Sequence, residues 1–234
     1  MEAGYSTRPM GWHIWLQKVD RMRVDDELRK SVVFIGQIGP NGFIPVGTGF
    51  VVSADTMGMR FDHVVTARHN LEMIQGETVY IRVNKIGGGA DTVQTKRSEW
   101  RFIKDRKGGR YIDVAVLPTR GVAIDGSKLD VRPIPDPLIL PSEDEASRMD
   151  LMAGAPVVTI GLFTSHYGEA HNIPIVRQGN IATMRDPANM VSTTRGYMDA
   201  YLVELRSLGG LSGSPVFLLI EPYWLTERKK PRKI

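Results

Sequence analysis

Hydrophobic and polar positions along the chain follow two different periods. Between residues 11 and 30, Trp12, Trp15, Leu16, Val19 and Met22 recur at three-and-four spacing, the repeat that lines one face of an amphipathic helix. From Ser31 the pattern changes to strands. Residues 31–35 lead into a turn at Gly39-Pro40-Asn41-Gly42, and residues 43–46 and 48–52 follow it. Residues 64–66, 78–83, 100–103 and 114–117 complete a set of about six strands, enough to close a small β-barrel. Residues 118–150 break the pattern with Pro133, Pro135, Pro137, Pro141 and the acidic run Glu143-Asp144-Glu145, which predicts a crossing between two units. Strands resume over 156–161, 173–176, 179–184, 200–205 and 215–220. The expected order is an N-terminal arm and helix (1–30), a first barrel (31–118), a linker (119–150) and a second barrel (151–234).

Length agrees with that division, since 234 residues fit one large all-β unit or two small barrels. Cysteine is absent, so no disulfide supports the fold and the redox compartment stays open. The formal charge of +4 equals the sum of Arg228, Lys229, Lys230, Arg232 and Lys233 against Glu227. The rest of the chain is therefore close to neutral. A basic tail without interleaved aromatics reads as a solvated segment, and no nucleic-acid partner is expected. The first ten residues lack the apolar core of a signal peptide, and no run reaches the roughly 18 apolar residues of a membrane span. Cytoplasmic location is the resulting expectation.

Candidate chemistry centres on residues 208–217, where Ser212 stands among Gly209, Gly210 and Gly213 ahead of an apolar run. A serine hydroxyl is a nucleophile only when a base takes its proton and donors stabilise the resulting oxyanion. Glycines let the chain turn tightly enough to aim the Gly210 and Ser212 N–H groups at one point. Taken alone, the stretch reads more readily as a plain hairpin turn. Two further stretches favour chemistry: Val64-Val65-Thr66-Ala67-Arg68-His69, a strand ending in a histidine, and Asp113-Val114-Ala115-Val116-Leu117, a strand opened by a carboxylate. Their order along the chain is His, Asp, Ser, the order of chymotrypsin-type hydrolases.

With Gly47-Thr48-Gly49-Phe50-Val51-Val52, these segments resemble the four signatures of trypsin-like serine peptidases over residues 31–220. Within that family the sequence is similar to bacterial-type members, the protease domain of high-temperature-requirement proteins and the glutamyl endopeptidases. Ser214 stands where trypsin has glycine. Leu211 stands where digestive proteases carry the aspartate that pairs with a new N-terminus, so activation by that ion pair is not expected.

The resemblance implies an all-β fold of two six-stranded antiparallel Greek-key barrels with a short N-terminal helix, acting on protein or peptide substrates without cofactor. It implies His69 as general base, Asp113 as its orienting carboxylate, Ser212 as nucleophile, and Gly210 and Ser212 as oxyanion donors. Arg206, six residues before Ser212, falls where such enzymes place the base of the primary specificity pocket. A guanidinium there would favour an acidic substrate side chain; the other reading is an exposed arginine ending a strand. His63 lacks the small-residue lead-in of a base. His13, His166 and His171 show no pairing logic, and no histidines have metal-ligand spacing. After Ile220 nothing resembles the strand that walls the substrate cleft in this family. A second barrel incomplete at its C-terminus is therefore expected, and with it a second possible function: a weakly catalytic domain of the same fold that binds partners.

Overall fold

The computed structural model describes residues 26–103, 111–120, 124, 127–135, 151–206 and 208–219. Its plan follows from two strands that are apolar on both faces. One-turn helix α1 (Asp26–Arg29) leads into β1 (Val32–Gly39), whose first four residues are all buried. Alternate side chains of a strand point to opposite faces, so such a run needs cover on both sides. Val33 and Ile35 enter one core, and Val32 and Phe34 enter another.

The first core lies inside a sheet built from β1, β2 (Gly42–Thr56), β3 (Met59–Thr66), β4 (Thr78–Asn84), β5 (Ala90–Lys96), β6 (Arg101–Phe102) and β7 (Ala115–Pro118). Its order is β5-β4-β1-β2-β3-β7-β6, and a short β8 (Ile134–Pro135) pairs with β2. The run β4-β1-β2-β3 is a Greek key, the fourth strand returning beside the first. Helix α2 (Arg68–Met73) follows β3 and drops Leu71 into this core beside Val51, Val64, Val79, Ile81, Trp100 and Leu117.

A second sheet has the order β13-β10-β9-β14, from β9 (Pro156–Gly161), β10 (Ile175–Thr183), β13 (Leu202–Leu205) and β14 (Val216–Leu218). A hairpin of β11 (Val191–Thr193) and β12 (Gly196–Met198) stands apart. Strand β9 is again buried on both faces. Val158 and Ile160 meet Val32, Phe34, Leu28 and Phe217 in the second core, which forms the seam between the sheets.

A polar cluster bolts the same seam. Arg82 of β4, only 6% exposed, donates to the carbonyls of Gly168 and Glu169 and to Oδ1 of Asn172. Asn172 answers through Nδ2 to the Arg82 carbonyl and exchanges two bonds with Asn84. The guanidinium also lies against the rings of Phe43 and Tyr167. Burial lowers its pKa, with Tyr167 acting the other way.

The all-β class is as expected, and the pairing is antiparallel throughout the described strands except for the parallel pair β2–β8. The described strands form an eight-stranded sheet, a four-stranded sheet and a two-stranded hairpin. Strand β5, with Val93 and Thr95 alone buried along Ala90–Lys96, carries too little apolar signal to be read in advance. The two runs expected over 173–176 and 179–184 are one strand, β10, continuous through Arg177 and Gln178. Part of the expected linker is built into the fold: Leu129 lies in the first core and Ile134 in the seam. The aromatic stripe Trp12 to Met22 and residues 221–234 lie outside the described residues.

Candidate active site

Strand register brings the acid to the base. Antiparallel pairing of β3 with β7 sets Thr66 opposite Ala115, so the residues just beyond the two strand ends also face each other. The Arg68 N–H reaches the Asp113 carbonyl at 3.4 Å, and the His69 N–H reaches Asp113 Oδ1 at 2.9 Å. Ala67, extended at φ −69° and ψ 135°, turns the chain from strand to helix. His69 thereby stands in the first turn of α2, with its Nδ1 2.5 Å from Asp113 Oδ2. Facing a carboxylate oxygen, Nδ1 is the ring nitrogen placed to donate, which leaves Nε2 as the ring atom turned away from Asp113. Side-chain exposures of 16% for His69 and 17% for Asp113 leave the pair sheltered but open on one side.

Asp113 has a third donor, the Tyr111 hydroxyl, 3.4 Å from Oδ1. Burial pushes the Tyr111 phenol upward, and the negative charges of Asp113 and Glu72 push the same way. Arg68 packs its guanidinium over the rings of Phe102 and Tyr111 and pairs with Glu72 at 2.8 Å. The Tyr111 N–H donates to the Tyr197 carbonyl, which ties the β11–β12 hairpin to the segment leading into Asp113.

Residues 208–214 form two successive turns, closed by Leu211 N–H to Leu208 O and by Ser214 N–H to Leu211 O. Gly210 (φ +98°) and Gly213 (φ +85°) hold their third positions, where a type II turn demands a left-handed residue. The turns are clamped to the first sheet through Thr48. Its N–H donates to the Ser212 carbonyl at 2.9 Å and its Oγ1 to the Gly210 carbonyl at 2.8 Å. The same Oγ1 accepts the Leu162 N–H at 2.8 Å. Asn70, next to His69, adds a bond from Nδ2 to the Ser212 carbonyl at 2.7 Å.

Of the residues singled out by sequence, His69 and Asp113 are hydrogen-bonded, and the Ser212 backbone is docked against Thr48 and Asn70. The Ser212 hydroxyl is exposed and has no hydrogen-bond partner among the described residues. The Gly210 and Ser212 N–H groups likewise make no hydrogen bond among the described residues. Arg206 lies exposed directly after β13. Sequence reasoning missed Thr48, Asn70 and Tyr111 as parts of the site. Thr48 sits inside one signature and Asn70 directly after another, but their long-range bonds to 210 and 212 leave no local pattern.

Among the described residues, no group of three or more metal-ligating side chains occurs and no helix is long and apolar enough to cross a membrane. A search of curated proteins found no match. A profile of the trypsin-like peptidase domain matches residues 47–219, from the glycine before Thr48 to the residue after β14. That span takes in every group described above and well over half the chain. The chain belongs to the trypsin-like peptidase family.

Proposed function

We propose that the chain is a serine endopeptidase that cleaves peptide bonds through an acyl-enzyme, with Ser212 as nucleophile, His69 as general base and Asp113 as its orienting carboxylate. The observation carrying this reading is the His69–Asp113 pair, joined by two hydrogen bonds, beside a doubly clamped glycine turn that presents Ser212. His69 Nε2 takes the Ser212 Oγ proton as Oγ attacks the substrate carbonyl carbon, and returns it to the leaving amine. Asp113 holds the tautomer with Nε2 free and stabilises the imidazolium. The oxyanion falls to the Gly210 and Ser212 N–H groups, donors already fixed in place and therefore effective without reorganisation.

A fluorophosphonate probe, which reacts only with an activated serine, tests the assignment. Labelling should appear at Ser212 and vanish in Ser212→Ala with the fold intact. His69→Ala should lose nearly as much, since members of such a set act as a unit. Labelling that survives Ser212→Ala would overturn the nucleophile, and a folded chain without labelling would favour the partner-binding reading. A panel of peptides varied at the residue before the scissile bond decides the role of Arg206. A preference for Asp or Glu that Arg206→Ala abolishes places it at the pocket base; an unchanged preference makes it a strand-end arginine.

A further inference from the structure

Asn70 is fully buried, yet its amide oxygen has no hydrogen-bond partner among the described residues. Its Nδ2 meanwhile faces three oxygens: the Ser212 carbonyl at 2.7 Å, Thr66 Oγ1 at 3.0 Å and the Thr48 carbonyl at 3.4 Å. Thr66 Oγ1 already donates to the Thr48 carbonyl, so all three accept from Asn70. The amide cannot be turned over without setting oxygen against oxygen, which fixes its orientation. A side chain added at Gly47 would overlap this amide, so β2 has left room for it. An orphaned buried oxygen is a standing cost to the fold, and such costs concentrate where a site needs the remaining bonds.

Among the described residues, Asn70 is the side chain that runs from the helix bearing His69 to the turn bearing Ser212. His69 comes from the first sheet and Ser212 from the neighbourhood of the second, so their separation depends on what spans the gap. We propose that Asn70 is a positioning residue that locks the Ser212 turn to the His69 helix, setting the distance between nucleophile and base. Asn70 touches no reacting atom. It acts by holding the Ser212 carbonyl, and catalytic geometry lost by even about 0.5 Å is enough to slow such a site. The inference rests on the assignment of Ser212 and His69 made above.

The experiment compares the full chain with Asn70→Leu, which keeps the branched shape, removes the orphaned oxygen and breaks the bond to Ser212. A part that only supports the fold would move stability and activity together; a positioning residue separates them. Expected for Asn70→Leu are a thermal midpoint equal to or above that of the wild type, fluorophosphonate labelling slowed at least tenfold, and a loss in kcat with KM within twofold. Labelling within twofold of the wild type, at equal folded fraction, overturns the inference while leaving the nucleophile in place. A wild-type chain that takes no probe at Ser212 overturns both. Should Asn70→Leu fail to fold, Asn70→Ala carries the test on the labelling rate and the kcat-against-KM split at equal folded fraction, because alanine offers no donor to the Ser212 carbonyl.

Discussion

At the scale of single residues, Thr48 and Tyr111 do work that their local sequence does not announce. Thr48→Val keeps the shape of the side chain but strands the Gly210 carbonyl and the Leu162 N–H. Leaving buried polar groups unpaired costs about 1–3 kcal/mol each, so a urea midpoint should fall by that order and labelling of Ser212 should slow with it. Tyr111 offers a pH-dependent test. A phenol whose pKa is raised by folding adds stability that is complete below about 10, the ordinary tyrosine value, and is lost as pH climbs through the folded-state value. Spectrophotometric titration of the native protein should show a phenol ionising late, and Tyr111→Phe should remove that phase; an identical curve would contradict the burial argument. The phenylalanine variant also loses one of three donors to Asp113 while keeping the ring under Arg68. Its labelling rate should fall less than that of Asn70→Leu.

Elements are where glycine earns its place in the turn, and two glycines of similar conformation separate backbone strain from crowding. Gly76 (φ +78°) faces open space, whereas a Cβ on Gly213 (φ +85°) would overlap the Thr48 carbonyl and lie 2.6 Å from Thr66 Oγ1 and 2.8 Å from the Ala67 nitrogen. Gly76→Ala should cost about 1–2 kcal/mol, the left-handed penalty alone. Gly213→Ala should cost roughly 3 kcal/mol or more, because it adds a clash in packed backbone, and denaturant midpoints of the pair check the difference. The same scale shows what was legible. Strands with strong apolar content, such as β1, β4 and β9, stand out from sequence, and so do His69 and Asp113, because each lies just beyond the end of an apolar strand. Strand β5 and the β11–β12 hairpin were hidden because their pairing, not their composition, makes them strands. The split of β10 into two runs came from Arg177 and Gln178, polar residues that the ladder to β9 carries through. Thr48 and Asn70 could not be assigned at all, since their partners lie 162 and 142 residues away.

For the whole molecule, the deciding feature is the seam between the sheets. Its apolar part joins Phe34 and Val32 to Val158, Ile160 and Phe217, and its polar part is the Arg82–Asn172–Asn84 cluster. Arg82 has no carboxylate partner among the described residues and is held by carbonyl and amide oxygens instead. Arg82→Met would leave those acceptors buried and unpaired, so stability should fall by at least about 2 kcal/mol. Arg82→Lys should recover only part of it, because an ammonium cannot reach the same set of oxygens as the planar fork. If the seam aligns the site, labelling of Ser212 in Arg82→Met should disappear at urea concentrations where far-ultraviolet dichroism still reports native strands. Simultaneous loss of both signals would show that the seam and the sheets melt as one unit.

On the proposed assignment, the chain order of the three site residues, with His69 and Asp113 beside strands of the first sheet and Ser212 between β13 and β14 of the second, also bears on how the protein is made. A ribosome adding about 5–20 residues per second completes the base and the acid well before it reaches the glycine turn. On that assignment the growing polypeptide carries, up to that moment, the proposed base but not the proposed nucleophile. The Ser212 carbonyl then docks on Thr48 and Asn70. On the proposed reading that docking completes the site, and arrested chains ending before Gly210 should take up no fluorophosphonate.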